Sequence, residues 1–292
     1  MSGVAPLDVG ELDLDAYRRR IGFANALAPT RDCLAGLILA HAAAIPFENI
    51  DVLARRVPKL DLPGLQDKMV KQRRGGYCYE QNTLLRAVLQ AIGFDVQPME
   101  ARVLSGVAPG VIPARTHLAL RVALAGHDFL VDVGCSTIAP LAPLALASRD
   151  EQAAGTGAYR FVDVGNDVTL QRIAATGWAD VYRLLPTAPQ AIDCEMGNWF
   201  VATWPQSKQA HNLLVGRAIE GGRLRLFNRT LSAFQPESAS PVERTLLTRA
   251  EFADVLADAF GLDVAPADLD AVMAALDRLP ASSPAPASSP KE

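Results

Sequence analysis

The residue whose setting most suggests covalent chemistry is Cys78, which follows Arg73-Arg74-Gly75-Gly76-Tyr77. A thiol attacks carbonyls as the thiolate, and its pKa of about 8.5 falls where helix-start N–H groups and a cation stabilise the anion. Leu84, Leu85, Val88, Leu89 and Ile92 form an apolar helical stripe and Gly93 supplies a left-handed stop, so Cys78 is expected at that helix's N-terminus. The glycines would let backbone approach a substrate carbonyl, with nearby N–H groups stabilising an oxyanion. A buried cysteine on an ordinary helix explains the same local features equally well.

A downstream hairpin tips that balance. With a tight turn at Ala125-Gly126, Leu118 pairs with Val133, Leu120 with Val131 and Val122 with Phe129, giving an unbroken apolar face. On the other face Ala119 opposes Asp132, so His117 lies diagonal to Asp132, about 7–8 Å between backbones and within side-chain reach. An acid among Phe129, Leu130, Val131 and Val133 needs a partner, because an unpaired buried charge is costly. His117 would act as base, Asp132 would orient it, and Cys78 would carry an acyl group to an amine with ping-pong kinetics. Peptide hydrolysis and glutamine cross-linking remain open to the same three residues.

The elements that must position them follow from periodicity. The first ninety residues read as helical, with Leu34, Leu37, Ile38 and His41 on one face after Thr30 and a stop at Pro46. From Phe94 to about Leu185 the pattern alternates, at Val96, Met99–Val103, Leu118–Leu124, Phe129–Val133 and Trp178–Leu184, which predicts a β-rich unit. Beyond Pro205, strand-like runs at Leu213–Ala218 and Leu224–Phe227 precede helices and suggest a third, mixed unit. One of those helices opens on a Thr248–Glu251 capping box with Leu247 stapled against Phe252, and ends at Gly261. The last carries Leu269, Val272, Met273 and Leu276, before a Pro/Ala/Ser-rich tail with too little apolar surface to order itself.

The chain has 292 residues, half of them apolar, which is enough for a substantial core. Its net charge of −4 is spread along the chain without a basic stripe, which argues against nucleic acid. No apolar run approaches the ~18–20 residues of a membrane span, and the Met1 start lacks a leader pattern, so a cytoplasmic location is expected. The cysteines at 33, 78, 135 and 194 show no C-x-x-C pair and read as free thiols, with no metal-ligand spacing. Cys33 and Cys194 read as packing residues, His41 as a satisfied core histidine and His127 as solvated; His211 could line a cleft. Cys135 could lie close to Cys78 and be open to oxidation.

Several blocks together resemble the arylamine N-acetyltransferases. They are Tyr17-Arg-Arg-Arg-Ile-Gly22, Ala44-Ile-Pro-Phe-Glu-Asn-Ile-Asp51, Arg74-Gly-Gly-Tyr-Cys-Tyr-Glu80, Thr116-His117-Leu118 and Leu130-Val-Asp-Val-Gly134. The resemblance spans roughly residues 14–276 and puts Cys78, His117 and Asp132 in the places of the family's nucleophile, histidine and aspartate. It implies an α+β fold with a core like that of cysteine proteases and transglutaminases. The expected units are a helical bundle over 1–93, a β-barrel-like domain over 94–190, an α/β lid over 191–278 and a disordered tail over 279–292. The implied activity is transfer of acetyl from acetyl-CoA to arylamines or arylhydrazines, with no metal and as a monomer or homodimer. An amide synthase of the same fold, or a non-catalytic binder of CoA or aromatic ligands, are the alternatives. Glu48 would pair with Arg74 beneath the nucleophile, with Phe47, Gly76, Tyr77 and Cys135 also supporting the site. Gly106, in the loop Gly106–Pro113, with Thr116, Ser207 and Lys208 would contact CoA, and Arg229 is a further phosphate candidate. Two departures bear on the acceptor pocket: Cys135 follows Val-Asp-Val-Gly134 where the family commonly has Phe, and Gln209 stands where an aromatic is usual.

Overall fold

The computed structural model describes residues 7–279, apart from 109, 136–137 and 236–239. Asp13 caps α1 (Leu14–Ile21) and Thr30 caps α2 (Arg31–Ala44), each side chain accepting a first-turn N–H. A two-residue strand β1 (Phe47–Glu48), short helices α3 (Ile50–Leu53) and α4 (Leu62–Gln66), and a π-turn over Asp67–Lys71 lead to α5 (Cys78–Ile92). At the start of α5 the Glu80 carboxylate accepts the Tyr77 N–H at 3.0 Å, and Gly93 ends the helix at φ 100°. Leu84, Leu85, Val88 and Leu89 share one core with Leu34, Leu37 and Ile38 of α2.

The chain then becomes strand: β2 (Asp95–Val103), β3 (His117–Leu124), β4 (His127–Val131), β5 (Leu144–Ala145), β6 (Gln152–Ala154), β7 (Gly157–Val164), β8 (Asp167–Ala174) and β9 (Gly177–Leu184). Among the described residues these form an antiparallel sheet in the order β5-β4-β3-β2-β9-β8-β7-β6, curled into a nearly closed barrel. The β3–β4 turn has Ala125 at φ 51° and Gly126 at φ 79°, the left-handed pair whose twist matches that of the flanking strands. Leu120, Val122 and Val131 join the helical core, whereas Ala119 and Leu130 point into the barrel core with Tyr159, Phe161 and Tyr182. The hairpin is therefore buried on both faces.

Leu120 pairs with Val131 and Val122 with Phe129, the register expected from the sequence. β4 stops at Val131, so the expected Leu118–Val133 and Ala119–Asp132 pairs lie past the ladder. Val133 N–H donates to Asn82 of α5 and Gly134 N–H to Asp132, which takes both amides out of the sheet.

The remaining elements are α6 (Ala191–Thr203), α7 (Lys208–His211), β10 (Leu214–Ile219), β11 (Gly222–Phe227), β12 (Thr230–Phe234), β13 (Val242–Thr245), α8 (Arg249–Asp254) and α9 (Pro266–Asp277). The second sheet runs β1-β10-β11-β12-β13, so a strand from the amino-terminal part completes it. Strands β12 and β13 escape the hydropathy pattern because β12 buries only Ser232 fully and β13 is exposed along its whole length. Thr248 and Glu251 form the capping box, but Leu247 is 70% exposed and does not serve as the staple expected for Phe252. After α8 the chain continues through a π-turn over Val255–Ala259 to Gly261 at φ 67°. Most of the expected disordered tail falls outside the described residues, and its first residue, Leu279, packs half-buried against the core of α8 and α9.

A buried ion network ties these layers together. Arg74 donates through Nε and Nη2 to Glu48 Oε1 at 3.0 and 2.8 Å, and through Nη1 to Asp268 of α9 at 2.9 Å. Lys68 Nζ lies 2.6 Å from Asp51 and 2.7 Å from Glu80. Burial works against the Arg74 charge, but Glu48 and Asp51 more than offset it and hold its pKa above the usual guanidinium value. Asp268→Ala should cost about 1–3 kcal/mol in a urea unfolding titration, since it strips one carboxylate from a buried cation that keeps Glu48.

Candidate active site

The loop before α5 is pressed against β1. A Cβ on Gly75 would lie 2.1 Å from the Pro46 carbonyl oxygen, so only glycine fits there. Gly76 bridges Phe47, donating its N–H to Pro46 and accepting that of Glu48. Gly75 thus allows close contact with the chain's own backbone, and a Cβ on Gly76 would meet the Glu80 side chain at 2.9 Å. Gln81 donates to the Gly76 carbonyl at 2.8 Å, and the Tyr77 hydroxyl donates to Asn198 of α6. Phe47, Tyr77, Cys78, Tyr79, Leu118 and Val201 pack as one small cluster, which leaves Cys78 5% exposed at the first position of α5.

The Cys78 thiol points toward the Thr116 carbonyl at 3.7 Å and hydrogen-bonds to the His117 ring. His117 Nε2 lies 2.8 Å from Asp132 Oδ2, which leaves Nδ1 for the sulfur. The other Asp132 oxygen accepts from Asn82 Nδ2 at 3.0 Å and from Gly134 N–H at 2.8 Å. Burial opposes a charged ring, but the Asp132 carboxylate and the contact with Cys78 outweigh it and push His117 up to about 10. Burial likewise opposes the Asp132 charge, and His117, Asn82 and Gly134 hold that carboxyl below its usual range.

Three residues of this arrangement escaped the sequence reading. Asn82 sits one turn beyond Cys78 on α5, an i,i+4 spacing that could have marked it as facing the same site. A Cβ on Gly134 would come 2.5 Å from Cys78 Cα, so the absence of a side chain lets this segment lie against the start of α5. Tyr182 of β9 covers the His117 ring with centroids 4.8 Å apart, and burial followed by the Asp132 charge raises its hydroxyl pKa far above that of a free phenol. No single-residue signal distinguishes it from other core tyrosines.

Glu48 and Arg74 are paired and buried below this centre, as expected. Lys208 Nζ reaches the Gly106 carbonyl at 3.3 Å, which brings two of the expected CoA-contact residues together at the surface. Ser207 donates its hydroxyl to the Val201 carbonyl at 2.6 Å, and Arg229 is held by Asp277 at 2.6 Å, so both are already engaged within the fold. Cys135 packs at the edge of the barrel core, its thiol raised by burial and by the nearby Asp132 and Cys78. Gln209 leaves its side-chain oxygen buried and without a hydrogen-bond partner. His41 bonds Tyr17 and Gln81 in the core, His127 is solvated, and His211 is exposed, bonded to the Pro205 carbonyl. Sequence spacing offered no metal-ligand cluster, whereas packing brings donor atoms of His117, Asp132 and Cys135 within 4.8 Å of one another.

Residues 30–269 match the N-acetyltransferase family model. The arylamine N-acetyltransferase of Escherichia coli K12 is 38% identical over 91% of this chain and 97% of its own length. The arylamine N-acetyltransferase / N-hydroxyarylamine O-acetyltransferase of Salmonella typhimurium is 36% identical over the same shares. Among solved structures, the Mycobacterium marinum arylamine N-acetyltransferase in complex with CoA superposes with a TM-score of 0.85 at 34% identity, covering 91% of this chain and 99% of that one. With a fold and a sequence shared over nearly its whole length, the chain belongs to the arylamine N-acetyltransferase family.

Proposed function

We propose that this protein moves an acetyl group from acetyl-CoA to arylamines or arylhydrazines through an acetyl-Cys78 intermediate. The observation that carries the reading is the buried line from Cys78 through His117 to Asp132. Cys78 sulfur attacks the thioester carbonyl, and the imidazolium returns its proton to the departing CoA sulfur. The amine nitrogen then attacks the acetyl-enzyme, His117 Nδ1 takes the nitrogen's proton, and the Cys78 sulfur leaves. Asp132 keeps the ring in the tautomer that presents Nδ1 to the sulfur and stabilises its positive charge. On this reading residues 1–93 present the nucleophile, 94–190 the base and its acid, and 191–278 the lid. Gly106, Thr116, Ser207 and Lys208 take the CoA side, with Lys208 the one whose cation is free to meet a phosphate. Phe47, Glu48, Arg74, Gly76, Tyr77 and Cys135 support the centre.

Incubation with acetyl-CoA alone should add one acetyl group, mapped by mass spectrometry to Cys78. Cys78→Ser should lose the adduct and at least about 10³-fold in arylamine turnover; full turnover in that variant would remove the sulfur from the mechanism. Asp132→Asn should lower turnover by about 10³- to 10⁴-fold, the scale on which triads depend on their orienting acid.

The same pair sets a pH dependence. Folding raises His117 from 6.5 to about 10, so between those values the folded chain holds a proton the unfolded chain has lost. Stability from the pair is complete below pH 6.5 and is lost as pH rises to 10. Urea midpoints should fall across that window in the native chain, and Asp132→Asn should flatten the decline.

A further inference from the structure

Cys135 carries no step of the acyl transfer, yet its sulfur lies close to the His117 ring. One ring nitrogen of His117, a carboxylate oxygen of Asp132 and Cys135 Sγ lie within 4.8 Å of one another, and the nitrogen that faces the carboxylate is Nε2. The Gly134 N–H bond to Asp132 folds the segment back so that the residue after Gly134 reaches the ring. His117 and Asp132 are buried, and Cys135 is partly buried where it packs against the barrel core. One nitrogen, one oxygen and one sulfur donor are the mix that zinc and its heavier congeners prefer. Ligand atoms about a tetrahedral zinc stand about 3.5 Å apart, so the His117–Asp132 pair, 2.8 Å apart and hydrogen-bonded, opens by roughly half an ångström while Cys135 closes by about 1 Å, within the range of small side-chain rotations.

We propose that His117, Asp132 and Cys135 form a binding site for a zinc-type divalent cation, and that filling it switches acyl transfer off. The metal takes the Nε2 lone pair, an Asp132 oxygen and the Cys135 sulfur, with water at the fourth position. The proton on Nε2 and the thiol proton of Cys135 leave to solvent, since a coordinating thiol is deprotonated outright. The remaining ring proton sits on Nδ1, toward Cys78. The ring then accepts a proton neither from the thiol nor from an attacking amine, and Asp132 no longer orients it. The two anionic ligands balance the cation's charge, so the filled site adds no net charge to the interior. The switching half rests on the acyl-transfer reading; the binding half does not.

Equilibrium dialysis of metal-free full-length protein against Zn²⁺ tests the binding half. Native protein and Cys78→Ser should each take up one zinc per chain, whereas Cys135→Ser should bind about 100-fold more weakly or worse, since even outer-shell partners are worth about 10- to 100-fold. Co²⁺ should give sulfur-to-cobalt charge-transfer absorption in the native and Cys78→Ser proteins and none in Cys135→Ser, with circular dichroism showing all three folded. Absence of stoichiometric zinc in the native protein, retention by Cys135→Ser, or loss in Cys78→Ser overturns the proposal; the last would place the ion on the nucleophile. Zinc uptake should also abolish arylamine turnover, and stoichiometric uptake with turnover intact overturns the switch. Failure of the acyl-transfer reading shows separately, as turnover that survives Cys78→Ser.

Discussion

A carboxylate in the dry junction between a helical core and a barrel core must be fully hydrogen-bonded or it destabilises the fold, and Asp132 meets that demand from three directions. His117 takes one oxygen, and Asn82 and Gly134 share the other. The consequences reach well beyond the acid. By drawing the amides of Val133 and Gly134 away from the β3–β4 ladder, the arrangement ends β4 and turns the chain onto the start of α5. Gly134 then lies against Cys78 Cα, and the same helix that offers the sulfur offers Asn82 one turn later. Helix and barrel are thus positioned relative to each other by the group that also orients the imidazole.

Below that junction the ionic network does a different job. Surface pairs such as Arg149–Asp163, with both partners well exposed, contribute little. Arg74, Glu48 and Lys68 are nearly or wholly buried, so their pairing is a constraint: leaving any one without its partner would strand a charge. Because the partners come from β1, the π-turn, the loop before α5 and α9, the constraint links distant parts of the chain.

Much of this could be read before any coordinates. The α5 stripe, its Gly93 stop and the Thr30 cap are short-range signals, and α2 and α5 appear where those signals put them. The hairpin register was legible because the Ala125-Gly126 turn fixes which residues pair and that pairing puts Leu120, Val122, Phe129 and Val131 on one apolar face. What escaped has a common cause. The end of β4 depends on an amide-to-asparagine contact across 51 residues, and Tyr182 reaches His117 from a strand 65 positions away. The 117–132–135 donor cluster arises from packing with no spacing rule behind it. Strand β13 carries no inward apolar face to announce itself, and the role of Gly75 is visible only when the Pro46 carbonyl is seen beside it.

Strand β1 is only two residues long, yet it has neighbours on both sides: Gly216 and Val215 of β10 on one, and Gly76, two positions before Cys78, on the other. The carboxy-terminal sheet is therefore stitched through backbone hydrogen bonds to the very loop that presents the sulfur. That sheet cannot move as a rigid body away from the loop before α5 without breaking main-chain pairs next to Cys78. The carboxy-terminal sheet and the loop that carries Cys78 are thereby held as one hydrogen-bonded unit.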